Sequence, residues 1–525
     1  MDANSDRVAP TESFPTSVLV ASAPHATSSH ARTAQASGYQ RRRPEATALH
    51  RIVREHRATL FSDAAARSAS GRGYPRFVVE EFDKYERCGI LAYGVVRVYC
   101  ETCRQSDVVA FSCKGRALCL SCTGRRMADV TTHLVDAVLP VARYRQWTLT
   151  FPWTIRVMLV QHPSLVTALQ KIMVRRIERF LRRRARDHGL PRNERAHTGA
   201  IVAIQRFGSR LNLHIHCHAV IPDAVWALRD GALVTVDLPP PTDDDVDTIV
   251  RDICRRVAAY IERRTDDGTL AAPTTDDDCD DARDLAQLVL TDSIARKPSI
   301  LDDFPAAAPT PRKLTAQCDG FSLECKPSVA AADRAGLERL LRYGARPAFA
   351  HDRVEQLPNG NVSYRLPKAF YTGQTHVVLP PVEFLRRLAA LIPPPRFHTI
   401  RYHGLFAPNA KLRPLACALA PNHITDKKRI APVHGDAGSA NDPTANPDAP
   451  YRRRTRMLWS QLLRRVFAVD VLRCPCGADA DRKLIGVLSR AQTPDALDNF
   501  LRAIGESTVP PPRAKARPPP QVEMF

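Results

Sequence analysis

Leu211-Asn-Leu-His-Ile-His-Cys-His-Ala-Val-Ile221 sets His214, His216 and His218 in alternation with apolar residues. In an extended strand successive side chains point to opposite faces, so the imidazoles share one face while Ile215 and Cys217 share the other. A lone histidine in such a strand would be read as a half-buried group with a hydrogen-bond partner. Three at strand spacing read better as a metal-binding face, because imidazole is the commonest metal ligand and buried polar groups need partners.

The flanking chain tells how that strand is held. Gly199 to Phe207 reads as a strand and Gly208-Ser209-Arg210 as a turn, which predicts an antiparallel hairpin with Gln205 near the histidine face. Arg143 to Phe151 alternates as another strand and stops at Pro152. A helical region then runs from Ile155 to about His188. The order strand, long helix, hairpin predicts an α+β fold with helices on one face of an antiparallel sheet.

Cysteine supplies the second strong pattern. Cys100-x2-Cys103 and Cys119-x2-Cys122 have the spacing of a four-cysteine structural zinc site of the zinc-ribbon kind. Cys88 and Cys113 lie in the same block, which leaves open four ligands out of six, or six thiolates around two metals. Lys114, Arg116, Arg125 and Arg126 make the block a basic module able to touch phosphates. Far downstream, Cys474-Pro-Cys476 is half a metal site or nothing.

Charge points to the partner. The formal net charge is +21 and the isoelectric point about 9.7, carried mostly by arginine, whose planar fork suits phosphate. Nucleic acid is therefore the first partner to consider. Arg182, Arg183 and Arg184 cap a run of arginines on the long helix, which predicts a DNA-facing surface. No apolar run approaches a membrane span, and Asp2, Asp6 and Glu12 ahead of Val18-Leu19-Val20 do not make a secretory signal. A cytoplasmic chain is expected, where disulfides are rare.

The predicted organisation is a disordered basic arm (1–45), a zinc-binding DNA-recognition domain (46–135) and a catalytic domain (140–410). An acidic, proline-rich insertion at about 237–311 interrupts the latter. A linker (411–454), a helical segment with the Cys-x-Cys pair (455–508) and a Pro-rich tail (509–525) follow.

A divalent ion on His216 and His218, completed by an oxygen ligand, would polarise a phosphodiester as a Lewis acid. The nucleophile best placed by pattern is Tyr343, at the edge of the apolar face of a helix from Ala331 to Ala345, amid Arg339, Arg342 and Arg346. Its phenol can form a phosphoester, splitting strand transfer into two reversible steps. The arginines would hold the phosphate and favour the phenolate. Tyr371 and Tyr402 are the reserve candidates.

These residues resemble a known family. Gln205-Arg206-Phe-Gly208, Leu211-Asn-Leu213 and His216-Cys-His218 are similar to the His-hydrophobic-His strand of insertion-sequence-91-type transposases, which belong to the HUH single-strand endonucleases. Upstream, Cys88-Gly89, Cys100-x2-Cys103, Phe111-Ser-Cys-Lys114 and Cys119-x2-Cys122 resemble that family's zinc-binding domain. Downstream, Arg342-Tyr343-x2-Arg346-Pro347, Glu383-Phe384, Pro393-Pro-Pro-Arg396, Arg401-Tyr-His-Gly404 and Ala407-Pro408 resemble the rest of its catalytic domain.

The resemblance implies an HUH nuclease domain with flanking helices in a bacterial, nucleoid-associated protein. It implies Mg or Mn on His216 and His218, and structural Zn on the cysteines. Tyr343 would attack single-stranded element-end DNA to give a 5′-phosphotyrosine, and the freed 3′-hydroxyl would support rolling-circle-like strand transfer. Two departures stand out. Pro347 occupies the place of the second tyrosine of two-tyrosine members, and Cys474-x-Cys476 is closer-set than a Cys-x2-Cys knuckle. His214 is either a third ligand or a neighbour. Imidazole favours later metals, hence Mn over Mg. The competing readings are a non-enzymatic, zinc-dependent DNA-binding protein and a plasmid-type replication initiator.

Overall fold

A computed structural model describes residues 37–38, 41–68, 71–268, 312–370, 372–421, 459–467, 469–477 and 480–517. Most of the expected arm, residues 269–311 of the expected insertion, most of the expected linker, Tyr371 and the end of the tail lie outside these residues.

An antiparallel sheet of seven strands organises the chain. Its main path runs Ile400–Gly404, Gly199–Phe207, Leu213–Pro222, Tyr144–Thr150, Phe321–Glu324, Thr315–Cys318, and Ser328–Val329 pairs with the start of Tyr144–Thr150. The predicted hairpin is present. The histidine strand begins two residues later than its alternation suggests, because Leu211 takes a left-handed backbone (φ 59°) within the turn.

Helices cover both faces of the sheet, not one. On the first face Ile215, Cys217, Ala219 and Ile221 pack against the helices Trp153–Gln161, Pro163–Asp187 and Asp243–Asp266 through Leu159, Met173, Ile177 and Val250. On the second, Ile201 and Val220 meet Leu337 and Leu341 of the helix Arg334–Ala345. Gly199–Phe207 is accordingly buried along its whole length.

The long helix expected from Ile155 is two helices. Pro163 biases His162 away from helical geometry (φ −127°, ψ 81°) and then starts the second helix at its first turn. The stretch placed at the head of the insertion is ordered too. Thr242 and Asp245 form a capping box on Asp243–Asp266, and Val246, Ile249 and Val250 enter the main core.

The N-terminal region is closed by the C-terminal one. Gly94–Cys100 is the middle strand of a three-stranded sheet whose outer strands are Ser106–Ala110 and Arg482–Ser489. The segment expected to be helical thus contributes a strand as well as the helix Pro494–Ala503, whose Leu497 and Leu501 pack on Leu91 and Val95. Tail residues follow the helix Ala48–Arg67: the Ala514 N–H donates to the Arg54 carbonyl at 3.1 Å, and the Arg517 N–H to Thr59 Oγ1 at 3.0 Å. One hydrophobic core joins this region to the half that carries the histidine strand, running from Leu49 and Phe82 to Phe207, Tyr364 and Phe384. No helix among the described residues is long and apolar enough to cross a membrane.

Candidate active site and cysteine clusters

Register places the histidines. His218 sits opposite Thr148 on one neighbour and Ala203 on the other; His216 sits opposite Thr150 and Gln205. Directly opposed residues share a face. Successive imidazoles along the strand are 5.0 and 4.8 Å apart between ring centroids.

Hydrogen bonds then separate their roles. His216 Nδ1 lies 3.0 Å from the His214 carbonyl, which only accepts, so Nδ1 holds the proton and Nε2 keeps a lone pair for a ligand. His218 Nδ1 lies 3.1 Å from Thr148 Oγ1, and its Nε2 is buried without a hydrogen-bond partner. His214 differs. Its Nδ1 is 2.8 Å from an Arg156 guanidinium nitrogen, which only donates, so the His214 proton sits on Nε2 and neither nitrogen offers a lone pair. Of the two alternatives for His214, the geometry therefore favours the neighbour over the third ligand. Burial pushes the His214 pKa down to about 3 and that of His216 to about 4, and holds that of His218 well below its ordinary value. All three are neutral at physiological pH, the form a metal ligand requires.

Tyr343 arrives from across the sheet face. Its helix is capped by Asp333, which accepts from the Gly336 N–H at 2.7 Å, and is seated by Leu337 and Leu341. The Tyr343 side chain is 44% exposed, and its ring meets that of His218 edge-on at 5.4 Å. Gly344 permits this approach: a Cβ there would lie 3.1 Å from Ala203 Cβ and 3.5 Å from His218 Cβ. Gln205 Nε2 donates to the carbonyls of Tyr343 (2.8 Å) and Gly344 (2.9 Å), satisfying two orphan carbonyls at the helix end. Gln205 is thus first a clamp on the tyrosine helix, while its Oε1 stays buried and unpartnered beside His216 in register.

Arginines flank the tyrosine unequally. The Arg346 guanidinium lies between two rings, 4.9 Å from Tyr343 and 5.2 Å from Phe207. Arg342 is bound to Glu338 at 2.6 Å, and Glu338 also accepts from Thr132 Oγ1 at 3.2 Å. Arg339 is exposed and 3.5 Å from Asp333. Tyr402 lies opposite Ile201 and packs against the second-face core under Arg413.

Several predicted DNA contacts are elsewhere. Arg182, Arg183 and Arg184 lie on the helix covering the opposite face of the sheet from the histidines. Arg184 pairs with Asp245 at 2.6 Å and Arg182 with Glu178 at 3.4 Å, while Arg183 is exposed. Arg206 is buried, donates to the Ala390 carbonyl at 3.3 Å, and has its pKa lowered to about 10 by burial and by Arg116. Arg116 donates to the carbonyls of Pro394 (3.0 Å) and Phe397. Arg206 thus ties the sheet to the helix Pro381–Leu391, Arg116 ties the cysteine block to the segment after that helix, and both spend donors on backbone carbonyls. Sequence could not reveal this, because their partners are backbone carbonyls nearly two hundred residues or more away. Lys114 and Arg126 are exposed beside the cysteines, with Arg126 bound to the Lys114 carbonyl at 2.9 Å, and Arg125 reaches Ser112 Oγ at 3.4 Å.

The two Cys-x2-Cys pairs do not meet. Cys119 and Cys122 join Cys88 and Cys113, while Cys100 and Cys103 join Cys474 and Cys476; in each group the sulfurs lie within 4.8 Å of one another. The six-cysteine block thus contributes to two clusters, and the closer-set Cys-x-Cys pair completes the second. All the described cysteines are free thiols. In the first cluster Sγ separations are 3.7 Å (Cys88–Cys122), 3.5 Å (Cys113–Cys122) and 3.4 Å (Cys119–Cys88). Four sulfurs held tetrahedrally about 2.3 Å from a zinc ion would be about 3.8 Å apart, whereas a disulfide is about 2.05 Å long. The spacing fits a shared ion.

Charge and backbone support that cluster. Glu81 Oε1 accepts from the N–H groups of Arg116 (2.6 Å) and Ala117 (2.8 Å), shaping the turn that leads into Cys119. Arg42 donates to the Cys88 carbonyl at 3.2 Å and to Ser121 Oγ, and neighbouring thiols raise its pKa against the effect of burial. Nothing in the sequence singles out Arg42 from the arm around it.

Two family models match the chain. Residues 60–151 match the transposase zinc-binding domain and residues 199–413 the putative transposase domain. Together they define a transposase in which a zinc-binding domain precedes the transposase domain. In both regions the chain is similar to insertion-sequence-91-type transposases. No curated protein and no solved structure matches it significantly.

Proposed function

We propose that this transposase nicks single-stranded DNA at element ends through Tyr343 and passes the strand on by a second transesterification. The observation that carries this reading is the meeting of Tyr343 with His218 at 5.4 Å on a face where His216 and His218 both have Nε2 available. In the first step the Tyr343 oxygen bonds to phosphorus and the P–O3′ bond breaks. The phenol proton leaves to solvent, and the departing 3′ oxygen ends as a hydroxyl. The product is a 5′-phosphotyrosine, which keeps the phosphoester bond for attack by a later 3′-hydroxyl.

His216 and His218 would hold Mg or Mn, with Gln205 Oε1 as the available oxygen donor. Such an ion supplies Lewis-acid polarisation of the phosphate. The unpartnered His218 Nε2 and Gln205 Oε1 fit this role, since buried polar atoms without partners are costly in a folded chain. Arg346, stacked on Tyr343, lowers the cost of charge on the phenol and the incoming phosphate. Structural Zn on Cys88, Cys113, Cys119 and Cys122 would fix Lys114, Arg125 and Arg126 as a phosphate-binding surface.

Incubation of the protein with Mn and single-stranded oligonucleotides tiling the DNA around its gene tests this reading. A covalent protein–DNA band that is absent from Tyr343→Phe is expected. DNA binding that needs the cysteines, with no nick under any metal condition, would instead establish the non-enzymatic reading.

A further inference from the structure

Cys474 and Cys476 lie outside both matched regions, more than 370 residues from Cys100 and Cys103, yet the four sulfurs converge. Cys103 Sγ is 3.6 Å from Cys474 Sγ, and Cys100 Sγ is 3.7 Å from Cys476 Sγ. These are the edges of a tetrahedron of thiolates around an ion of zinc size, and they are too long for disulfides. The surrounding backbone is built to present them. The Cys474 N–H donates to the Ala480 carbonyl at 2.8 Å and the Cys100 N–H donates to the Gln105 carbonyl at 2.9 Å, so each pair is anchored by a backbone hydrogen bond. Arg482 and Cys100 are directly paired in the sheet.

We infer that Cys100, Cys103, Cys474 and Cys476 form a second, structural zinc site that fastens the C-terminal segment to the N-terminal domain. The ion completes a knuckle from two half-sites, and the strand Arg482–Ser489 then adds to Gly94–Cys100. The helix Pro494–Ala503 and the tail, with Arg513 bound to Asp83 at 3.1 Å, follow onto the same domain. A soft, all-sulfur donor set selects zinc over the hard ions that suit phosphate chemistry. The basic cysteine module is therefore complete only after Cys476 has been synthesised. This assignment does not depend on the nuclease reading.

The test uses the full chain carrying His216→Ala and His218→Ala, so that the histidine face does not add to the count. Elemental analysis should give two zinc ions per chain, with an all-sulfur shell at about 2.3 Å by X-ray absorption. Adding Cys474→Ser and Cys476→Ser should leave one zinc and speed proteolysis beyond residue 477. A single zinc in the parent, or two retained in the double serine variant, would overturn the site. If the serine variant does not fold, cobalt titration of the parent decides: two equivalents with tetrahedral thiolate spectra support the site, and one equivalent overturns it.

Discussion

The histidine face and the cysteine clusters are both arrays of metal-capable side chains, but they are assembled in opposite ways. The histidines come from one strand, and strand period alone aligns them. The cysteines come in local pairs that the fold separates and re-pairs, so that one cluster draws on residues 88 to 122 and the other spans 100 to 476. The histidine face offers two imidazoles beside the 44% exposed Tyr343 and would leave further positions of a bound ion for other ligands. The cysteine clusters are closed by four sulfurs each. A site with open positions suits chemistry, and a saturated one suits structure.

The most severe break in this contrast is loss of one site without the other. His216→Ala with His218→Ala is expected to abolish nicking while DNA binding and the thermal midpoint stay close to the parent, as read by gel assay and calorimetry. Cys88→Ser with Cys119→Ser is expected to do the reverse: DNA affinity and N-terminal folding collapse, because a structural zinc site contributes its binding free energy directly to folding.

Substitutions behind the histidine face should have intermediate effects. Gln205→Ala removes both bonds to the Tyr343 and Gly344 carbonyls, and Thr148→Val removes the partner of His218 Nδ1. Each is expected to slow nicking by roughly 10–100-fold, the usual cost of losing a group that orients a metal ligand. A rate within twofold of the parent for both would show that neither orients the site. Smaller still is the effect of Arg183→Ala on the opposite sheet face, which should leave the nicking rate of a short oligonucleotide unchanged.

Acid should weaken the fold over a defined window. Burial holds His351 and His403 down to about 4, whereas unfolded imidazole titrates near 6.5. Between those values the unfolded chain takes up protons that the folded chain refuses, so stability falls as pH is lowered from 6.5 to 4. Above 6.5 these two groups add no pH dependence. A thermal midpoint that stays flat from pH 6.5 to 4 would contradict their burial.

Local pattern made much of this legible. Alternation located the histidine strand, its hairpin partner and Tyr144–Thr150, and helical spacing located the tyrosine helix. What could not be read was long-range. The division of Cys100 and Cys103 from Cys119 and Cys122 depends on a strand pairing, Arg482–Ser489 with Gly94–Cys100, that no local spacing encodes. His214 looks equivalent to its neighbours until Arg156, from a separate helix, fixes its proton. The arginine run looked like a DNA surface, but Asp245 and Glu178 claim two of its members, and the sheet stands between it and Tyr343.

Tyr343 is the proposed nucleophile of this transposase. The most direct test is peptide mapping of the covalent species trapped with Mn and a single-stranded element-end oligonucleotide. A nucleotide mass on the peptide containing Tyr343, lost in Tyr343→Phe, is the predicted result; an adduct that persists in that variant, or maps to Tyr371 or Tyr402, would contradict it.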